Sequence, residues 1–263
     1  MYNVIKAQCY QLLHSLSTYV VAVLGILFMI LMCAIDDFDS NSMCGGYFAM
    51  MTNEAVSSAL SMIVMVYTAF ICAGDMKDKT INYEVLTGTG RSAVYFGRII
   101  TAVVVSIICH ILFLVVPPMI VTAIYGWGGT IPVSDFVLRI VSALFPLLRL
   151  TMLYAFLSFI FKSSALVCAA GYVLTFLEVI LSVMLQEFFP DTVVPMYVFS
   201  LNAITKLLVP ANYGFGFEDG KDITVVKDLL QTSTAVHGMA AGLLGCVVFG
   251  ILGCTVFKKK DMG

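Results

Sequence analysis

The side chains that usually carry enzyme chemistry are few in this sequence, and no spacing groups them. The three histidines are His14, His110 and His237, and none lies in the H-E-x-x-H pattern of a zinc hydrolase. No G-x-S-x-G turn presents a serine nucleophile. His110 lies in an apolar run that holds no Asp or Glu, which favours a packed or pore-facing histidine. We therefore predict that the chain is not an enzyme.

The eight cysteines do not follow the pattern of a disulfide framework or a metal site. Six of them lie inside or at the edge of apolar runs: Cys33, Cys72, Cys109, Cys168, Cys246 and Cys254. In such positions a thiol usually acts as a small apolar group. Only Cys44 falls in a predicted external loop, so it has no external partner, and no C-x-x-C spacing occurs.

One glycine-rich segment, residues 88–92, has the composition of a phosphate-binding loop but not its spacing. It lacks the G-x-x-x-x-G-K-[ST] pattern whose backbone amides cradle phosphates and whose hydroxyl binds magnesium. The chain is therefore predicted to bind no cofactor and to be unable to hydrolyse ATP by itself.

The composition excludes a water-soluble protein. Of the 263 residues, 60% are hydrophobic and 11% are charged, whereas a soluble domain has about 45–50% apolar and about 25% charged residues. The formal net charge of -2 offers no basic field for phosphates, so no nucleic-acid partner is expected. Membrane lipid is the expected surrounding of most of the chain.

The apolar runs predict an all-α, polytopic membrane protein. They are long enough for helices of about 20 residues, whereas a membrane β-barrel would show alternating segments of about ten residues. Pro117 and Pro118 must kink or end the helix of the third run. Six runs qualify as spans of a single transmembrane domain, residues 1–263: 19–35, 55–73, 98–125, 136–161, 164–185 and 234–257.

The N-terminal residues 1–17 are predicted to form an interfacial helix, because apolar residues recur on one helical face. That face is formed by Val4, Ile5, Cys9, Leu12, Leu13 and Leu16. A frayed, partly solvated tail is the alternative. The segment has neither a clear basic region nor a small-residue cleavage site, so it is not predicted to be a cleaved signal peptide.

The outer segment, residues 186–233, is predicted to contain short helices before the last span. Residues 195–209 are apolar but too short to cross a membrane, so they re-enter it or lie on its outer surface. Residues 212–222 are rich in glycine, aspartate and aromatic residues, and are predicted to be a polar turn region.

Lysine and arginine residues are distributed unevenly between the two sides of the predicted spans. One side carries nine: Lys6, Lys77, Lys79, Arg91, Arg98, Lys162, Lys258, Lys259 and Lys260. The other side carries four: Arg139, Lys206, Lys221 and Lys227. By the positive-inside rule the first side is cytoplasmic, which places both termini in the cytoplasm and agrees with an even number of spans. A bacterial plasma membrane is the predicted location.

Two charged residues, Arg149 and Glu178, are predicted to lie inside the membrane. Arg149 is 12 residues from Phe161 and Glu178 is 14 residues from Ser164, which places them roughly 18 and 21 Å deep. Charges in the bilayer rarely face lipid, so we predict that they pair, either as a static bridge or as a gate or substrate contact. Arg139 is assigned a simpler pair with Asp135, four residues earlier and near the outer surface.

Small residues recur every four positions in the last predicted span, at Gly238, Gly242, Cys246 and Gly250. Such a ladder lets another helix approach closely. The partner helix could belong to the same chain or to a second subunit.

The loop between the second and third runs, residues 74–92, has the most specific local pattern. Apolar residues that include Ile81 and Leu86 are spaced for a short amphipathic helix, and two glycines follow it. This loop resembles the coupling segment of type-2 ABC transporter permeases. The positions that the resemblance assigns to coupling are Asp75, Thr80, Ile81, Glu84, Leu86 and Arg91.

The layout of the whole chain is similar to that family, from the N-terminal helix to the long outer segment before the last span. The resemblance implies a permease that binds a cytoplasmic ABC ATPase subunit and a second permease copy or a related permease. ATP and Mg would bind to the ATPase. The expected function is export of an amphipathic or hydrophobic substrate, with an antimicrobial peptide, as in lantibiotic immunity, as the first candidate. The alternative is a stand-alone secondary transporter or channel.

Overall fold

Helices make up most of this chain, which confirms the predicted all-α membrane class. The computed structural model describes residues 2–35, 44–77, 88, 90–161, 163–188, 197–210, 213–218, 221–226 and 229–259. The helices in these ranges are α1 (Tyr2–His14), α2 (Leu16–Ile35), α3 (Gly45–Lys77), α4 (Arg91–Leu114), α5 (Val116–Tyr125), α6 (Val133–Phe161), α7 (Ser164–Phe188), α8 (Ser200–Leu208) and α9 (Thr232–Lys259).

Five helical elements in the described part of the chain are long and apolar enough to cross a membrane. They lie in α3, in α4 with α5, in α6, in α7 and in α9. A sixth is obtained if α1 and α2, which meet at an angle of 63°, are counted as one element. The span count of six therefore depends on the first predicted run, whose helix α2 begins at Leu16.

The predicted helix break at the two prolines is confirmed. The amide of Val115 donates to the carbonyl of Ile111 at 3.0 Å and ends α4, and α5 then begins with Pro117 and Pro118 in its first turn. Proline fits there because the first amides of a helix have no partner within it. Pro146 lies inside α6 without ending it.

The bundle has two ends, which contacts between helix termini define. At one end, Gly45 donates to the carbonyl of Gly126 at 2.9 Å, which joins the start of α3 to the end of α5. We call this the hairpin end. At the other end, α3 stops at Lys77 and α4 starts at Arg91. We call this the loop end, after the loop that connects α3 to α4. Residues 78–87 and 89 of that loop are outside the described residues.

Helix α6 lies at the centre of the bundle, where it packs most extensively on α9 and also contacts α3, α4, α7 and α8. Among the described residues, the buried apolar side chains form two clusters, and Leu12 and Val105 pack against both. The larger one includes Leu60, Leu147, Leu150 and Leu207 and joins α3, α6 and α8. The smaller one lies at the loop end. Its members are Val4, Ile71, Cys72, Val94, Tyr95, Ile99, Ala102, Ala155, Phe159 and Phe257.

Helices α7 and α9 expose broad apolar faces, as helices in lipid do. Only 22% of the span window is buried in each of them, against 61% in α6. Large apolar side chains such as Phe176, Val183, Val247 and Ile251 are more than half exposed. Exposure of these apolar faces to water would be unfavourable, since burial of apolar surface is the main driving force of folding in water.

The N-terminal helix buries only part of the predicted apolar face. Val4 and Gln8 are buried against the bundle, whereas Tyr2, Leu13 and Leu16 are exposed. The predicted apolar face is therefore divided, because one side of α1 packs on α4.

The predicted polar turn region contains a β-hairpin. Strands β1 (Tyr213–Glu218) and β2 (Lys221–Val226) pair in antiparallel register, with Phe215 opposite Thr224. Glycine and aspartate are uncommon in strands, so the composition favoured a turn here.

Candidate functional site

The buried charge Arg149 binds the start of the short helix α8. Its side chain is 2% exposed. Nε donates to Oγ of Ser200 at 2.8 Å, and Nη1 donates to the carbonyl of Tyr197 at 2.9 Å. Arg149 lies roughly 18 Å from the loop end of α6. Helix α8 therefore begins at about the same depth in the bundle.

Glu178 of α7 reaches the same helix start. Its Oε2 accepts a hydrogen bond from the amide of Leu201 at 3.1 Å. Phe199, at the N-cap of α8, has no side chain that could accept this bond. Glu178 therefore supplies the cap from another helix, where a carboxylate also meets the positive end of the helix dipole.

Arg149 and Glu178 thus come together at one site, as their matching depths predicted. The start of α8 is the element that both side chains bind. Each binds a neighbouring residue of the α8 start, Ser200 and Leu201. Direct pairing of the two charges stays a prediction. The sequence did not single out this partner, since Ser200 is one of several polar residues in the segment 195–209, with Asn202, Thr205 and Lys206.

A second pair of charges holds the other end of α8. Arg139 and Asp135 form the predicted ion pair, with Nε and Oδ2 2.7 Å apart, but their side chains are 3% and 5% exposed rather than at the surface. Arg139 Nη1 donates to the carbonyl of Leu207 at 3.3 Å. The amide of Leu230 donates to Oδ1 of Asp135 at 2.7 Å. The pair therefore closes the base of the hairpin segment between α8 and α9.

The glycine ladder of α9 faces its own chain. A Cβ at Gly238 would lie 2.6 Å from Leu207, and one at Gly250 would lie 3.0 Å from Met152. At Gly242 it would overlap the backbone carbonyl of Phe145 in α6. Cys246, the remaining member, is half-buried. Of the two partners that the sequence left open, these contacts favour packing within the subunit.

Gly245 makes room for the buried arginine. A Cβ at this position would overlap Cγ and Cδ of Arg149. The missing side chain therefore lets the Arg149 side chain run between α6 and α9 towards α8.

We expect Gly242→Ala to destabilise the protein by about 1–3 kcal/mol, the usual cost of overpacking a core. The obstacle is the backbone of Phe145, which cannot rotate away as a side chain could. Gly74→Ala is the matched control, since nothing lies within 4 Å of its added Cβ and alanine is favoured in a helix. Thermal melting in detergent should separate the two variants, and equal melting temperatures would contradict the close approach.

Most of the predicted coupling positions lie outside the described residues. Asp75 lies in α3, but its side chain is outside the described residues, as are Thr80, Ile81, Glu84 and Leu86. Arg91 is the first residue of α4 and is exposed, and its Nη1 donates to the carbonyl of Lys258 at 3.4 Å.

His110 of α4 is packed against α6, which agrees with the first of its two sequence interpretations. Its side chain is 3% exposed, and Nε2 lies 3.0 Å from the carbonyl of Ile140. Nearby, Thr151 donates to Ser106 at 2.9 Å. These bonds fasten α4 to α6 in the way that polar side chains join helices within membranes.

Apolar helices of membrane length around buried charges fit a multi-pass membrane protein. The chain belongs to the family DUF2705, described as a protein of unknown function, which matches residues 18–263. No curated protein matches the sequence.

Proposed function

We propose that this chain is the membrane-spanning permease subunit of an ABC transporter, which exports an amphipathic or hydrophobic substrate. A separate cytoplasmic ATPase binds ATP and Mg and powers the transport. Two permease subunits, identical or related, form the pathway in the plasma membrane, with their termini in the cytoplasm. An antimicrobial peptide is the first candidate for the substrate.

The observation that carries a transport role is the position of α8. Ser200 and Tyr197 bind Arg149 at the middle of α6, so a nine-residue helix begins within the bundle. Non-helical backbone at membrane depth is tolerated where it is buried in protein or lines a cavity. In many transporters, the ends of discontinuous helices lie near the midplane and face the substrate or the coupling ion.

The loop between α3 and α4 is the basis for proposing an ATPase partner. Its sequence resembles a coupling segment, with Ile81 and Glu84 in the predicted docking helix. The flanking helices α3 and α4 pack on each other, so a force on the loop would reach both spans.

A stand-alone secondary transporter or channel is the second candidate. Arg149 and Glu178 are the observation in its favour, because ionisable residues inside a membrane often line ion pathways. Purification in mild detergent followed by mass identification of bound subunits distinguishes the candidates. An ATPase bound to the chain supports the permease, whereas transport by the purified chain without an ATPase would overturn it.

We expect Ile81→Ala and Glu84→Ala to uncouple ATP hydrolysis from transport. The substitutions weaken the docking helix but leave the bundle folded, because they lie outside the spans. Glu187→Ala is the control, since Glu187 is an exposed carboxylate at the hairpin end of α7. The measurement is the ATPase rate and transport of the reconstituted complex. Unchanged coupling in both loop variants would contradict the assignment of the docking helix.

A further inference from the structure

Three side chains at the start of α4 bind backbone carbonyls of other helices. They are Arg91, Tyr95 and Arg98, and their spacing of four and three residues places them on one helical face. Arg91 binds the carbonyl of Lys258, as described above. The other two side chains are buried, and they join α4 to α9 and to α3.

Tyr95 joins α4 to α9. Its hydroxyl donates to the carbonyl of Gly250 at 2.6 Å. A Cβ at Gly253 would lie 2.7 Å from the same hydroxyl oxygen, so the glycine makes room for the tyrosine. The ring also packs on Phe159 and Phe257, with centroids 5.0 and 5.8 Å apart. The contact therefore depends on both helices: α4 provides the hydroxyl of Tyr95, and α9 provides the carbonyl of Gly250 and the space at Gly253.

Arg98 joins α4 to α3. It is fully buried, and Nη1 donates to the carbonyl of Ile71 at 3.0 Å. Ile71 is six residues before the end of α3, and Arg98 is seven residues after the start of α4. The bond therefore joins the two helices roughly 10 Å beyond the ends of the loop that connects them.

These contacts lie in the smaller apolar cluster, which is distinct from the larger one and adjoins it through Leu12 and Val105. Among the described residues, the members of this cluster that lie in spans come from α3, α4, α6 and α9, and none comes from α7. Packed interiors transmit displacement because they are dense and do not deform continuously. The loop end thus has its own core, with polar bonds that fix α4 to its neighbours.

We propose that Tyr95 and Arg98 are positioning residues that make the loop ends of α3, α4 and α9 move as one body. The movement itself rests on the proposed function, since the ATPase would displace the loop between α3 and α4. Through Tyr95, that displacement reaches α9, which is distant from the loop in sequence. Helix α7, outside this cluster, does not follow the movement.

The first experiment tests whether the loop ends of α3, α4 and α9 form one body. It uses the purified chain in nanodiscs, without any ATPase. Tyr95→Phe removes one hydroxyl, and we expect amide hydrogen exchange in residues 246–259 of α9 to rise about fivefold, as for the loss of one net hydrogen bond. Arg98→Met should raise exchange at the end of α3, and Arg98→Lys should restore part of the protection. Phe96→Leu, at an exposed neighbour, is the control. Unchanged exchange in both test variants would overturn the proposal, whether or not an ATPase binds.

The second test uses the complex with its ATPase. Spin labels on exposed Lys259 of α9 and Leu166 of α7 report the distance between the moving body and the reference helix. ATP with vanadate should change this distance in the wild type. The change should fall at least twofold in Tyr95→Phe and Arg98→Met at an unaltered ATPase rate, with partial rescue by lysine.

A purely structural role would lower the melting temperature of these variants and leave the distance change intact, which would overturn the positioning role. A chain that binds no ATPase would contradict the proposed function, while the hydrogen-exchange result would still decide whether the three helix ends form one body.

Discussion

Replacing Arg139 with methionine is expected to lower the free energy of unfolding by about 3–5 kcal/mol, the usual effect of removing one partner of a buried ion pair. The substitution leaves the Asp135 carboxylate in a site where its side chain is 5% exposed. It also removes the donor to the carbonyl of Leu207. Both ends of the hairpin segment should loosen as a result, because Asp135 also accepts from the amide of Leu230.

The experiment compares unfolding of the variants in mixed detergent micelles. The double variant Asp135→Asn with Arg139→Met should be more stable than Arg139→Met alone, since it removes the unpaired charge. Lys206→Met is the matched control, because Lys206 is a cation of α8 that is only half-buried. An Arg139→Met protein as stable as Lys206→Met would show that the buried pair does not hold the segment.

Replacing Arg149 with methionine should release the start of α8. The side chain donates to Ser200 and to the carbonyl of Tyr197, and its loss leaves both groups and the Glu178 carboxylate without that cation. We expect a destabilisation of about 3 kcal/mol or more. Amide hydrogen exchange should rise in residues 197–208, while the ends of α3 and α4 stay protected. Arg91→Met, at an exposed arginine, should leave the exchange of α8 unchanged.

A charge swap separates direct pairing from binding through α8. If Arg149 and Glu178 attract each other directly, the double variant Arg149→Glu with Glu178→Arg should recover stability relative to either single variant. A double variant no better than the single variants would count against direct pairing. In that case the capping bond from Glu178 to Leu201 would be the main contact of the carboxylate.

The positions of the main helices could be predicted because lipid imposes a simple length rule. The apolar runs that begin near Ala55, Phe136 and Ser164 all lie in long helices. The break at Pro117 and Pro118 also follows from local chemistry, since proline has no amide to donate. Helix ends were less predictable. Helix α4 starts at Arg91 rather than near Arg98, because a helix can continue past the apolar run that it contains.

The candidate site could be predicted only in part. Matching depths indicated that Arg149 and Glu178 lie close together, since depth follows from counting residues along a helix. Their contacts on α8 could not be inferred, because no local pattern relates Ser200 to a helix about 50 residues earlier. Asp135 and Arg139 illustrate the same limit. Their spacing predicted the ion pair, whereas their burial depends on Leu207 and Leu230, which the fold brings over them.

The sequence by itself determined that this chain is a bundle of membrane-length helices with two charges at mid-depth. Those properties depend on composition and spacing along one chain, and lipid allows few other solutions. Only the tertiary structure decided that α8 begins beside Arg149, that the α9 glycines face α6 and α8, and that Tyr95 binds Gly250. Contacts between distant segments depend on how helix surfaces fit together, and that complementarity has no period that a single sequence displays.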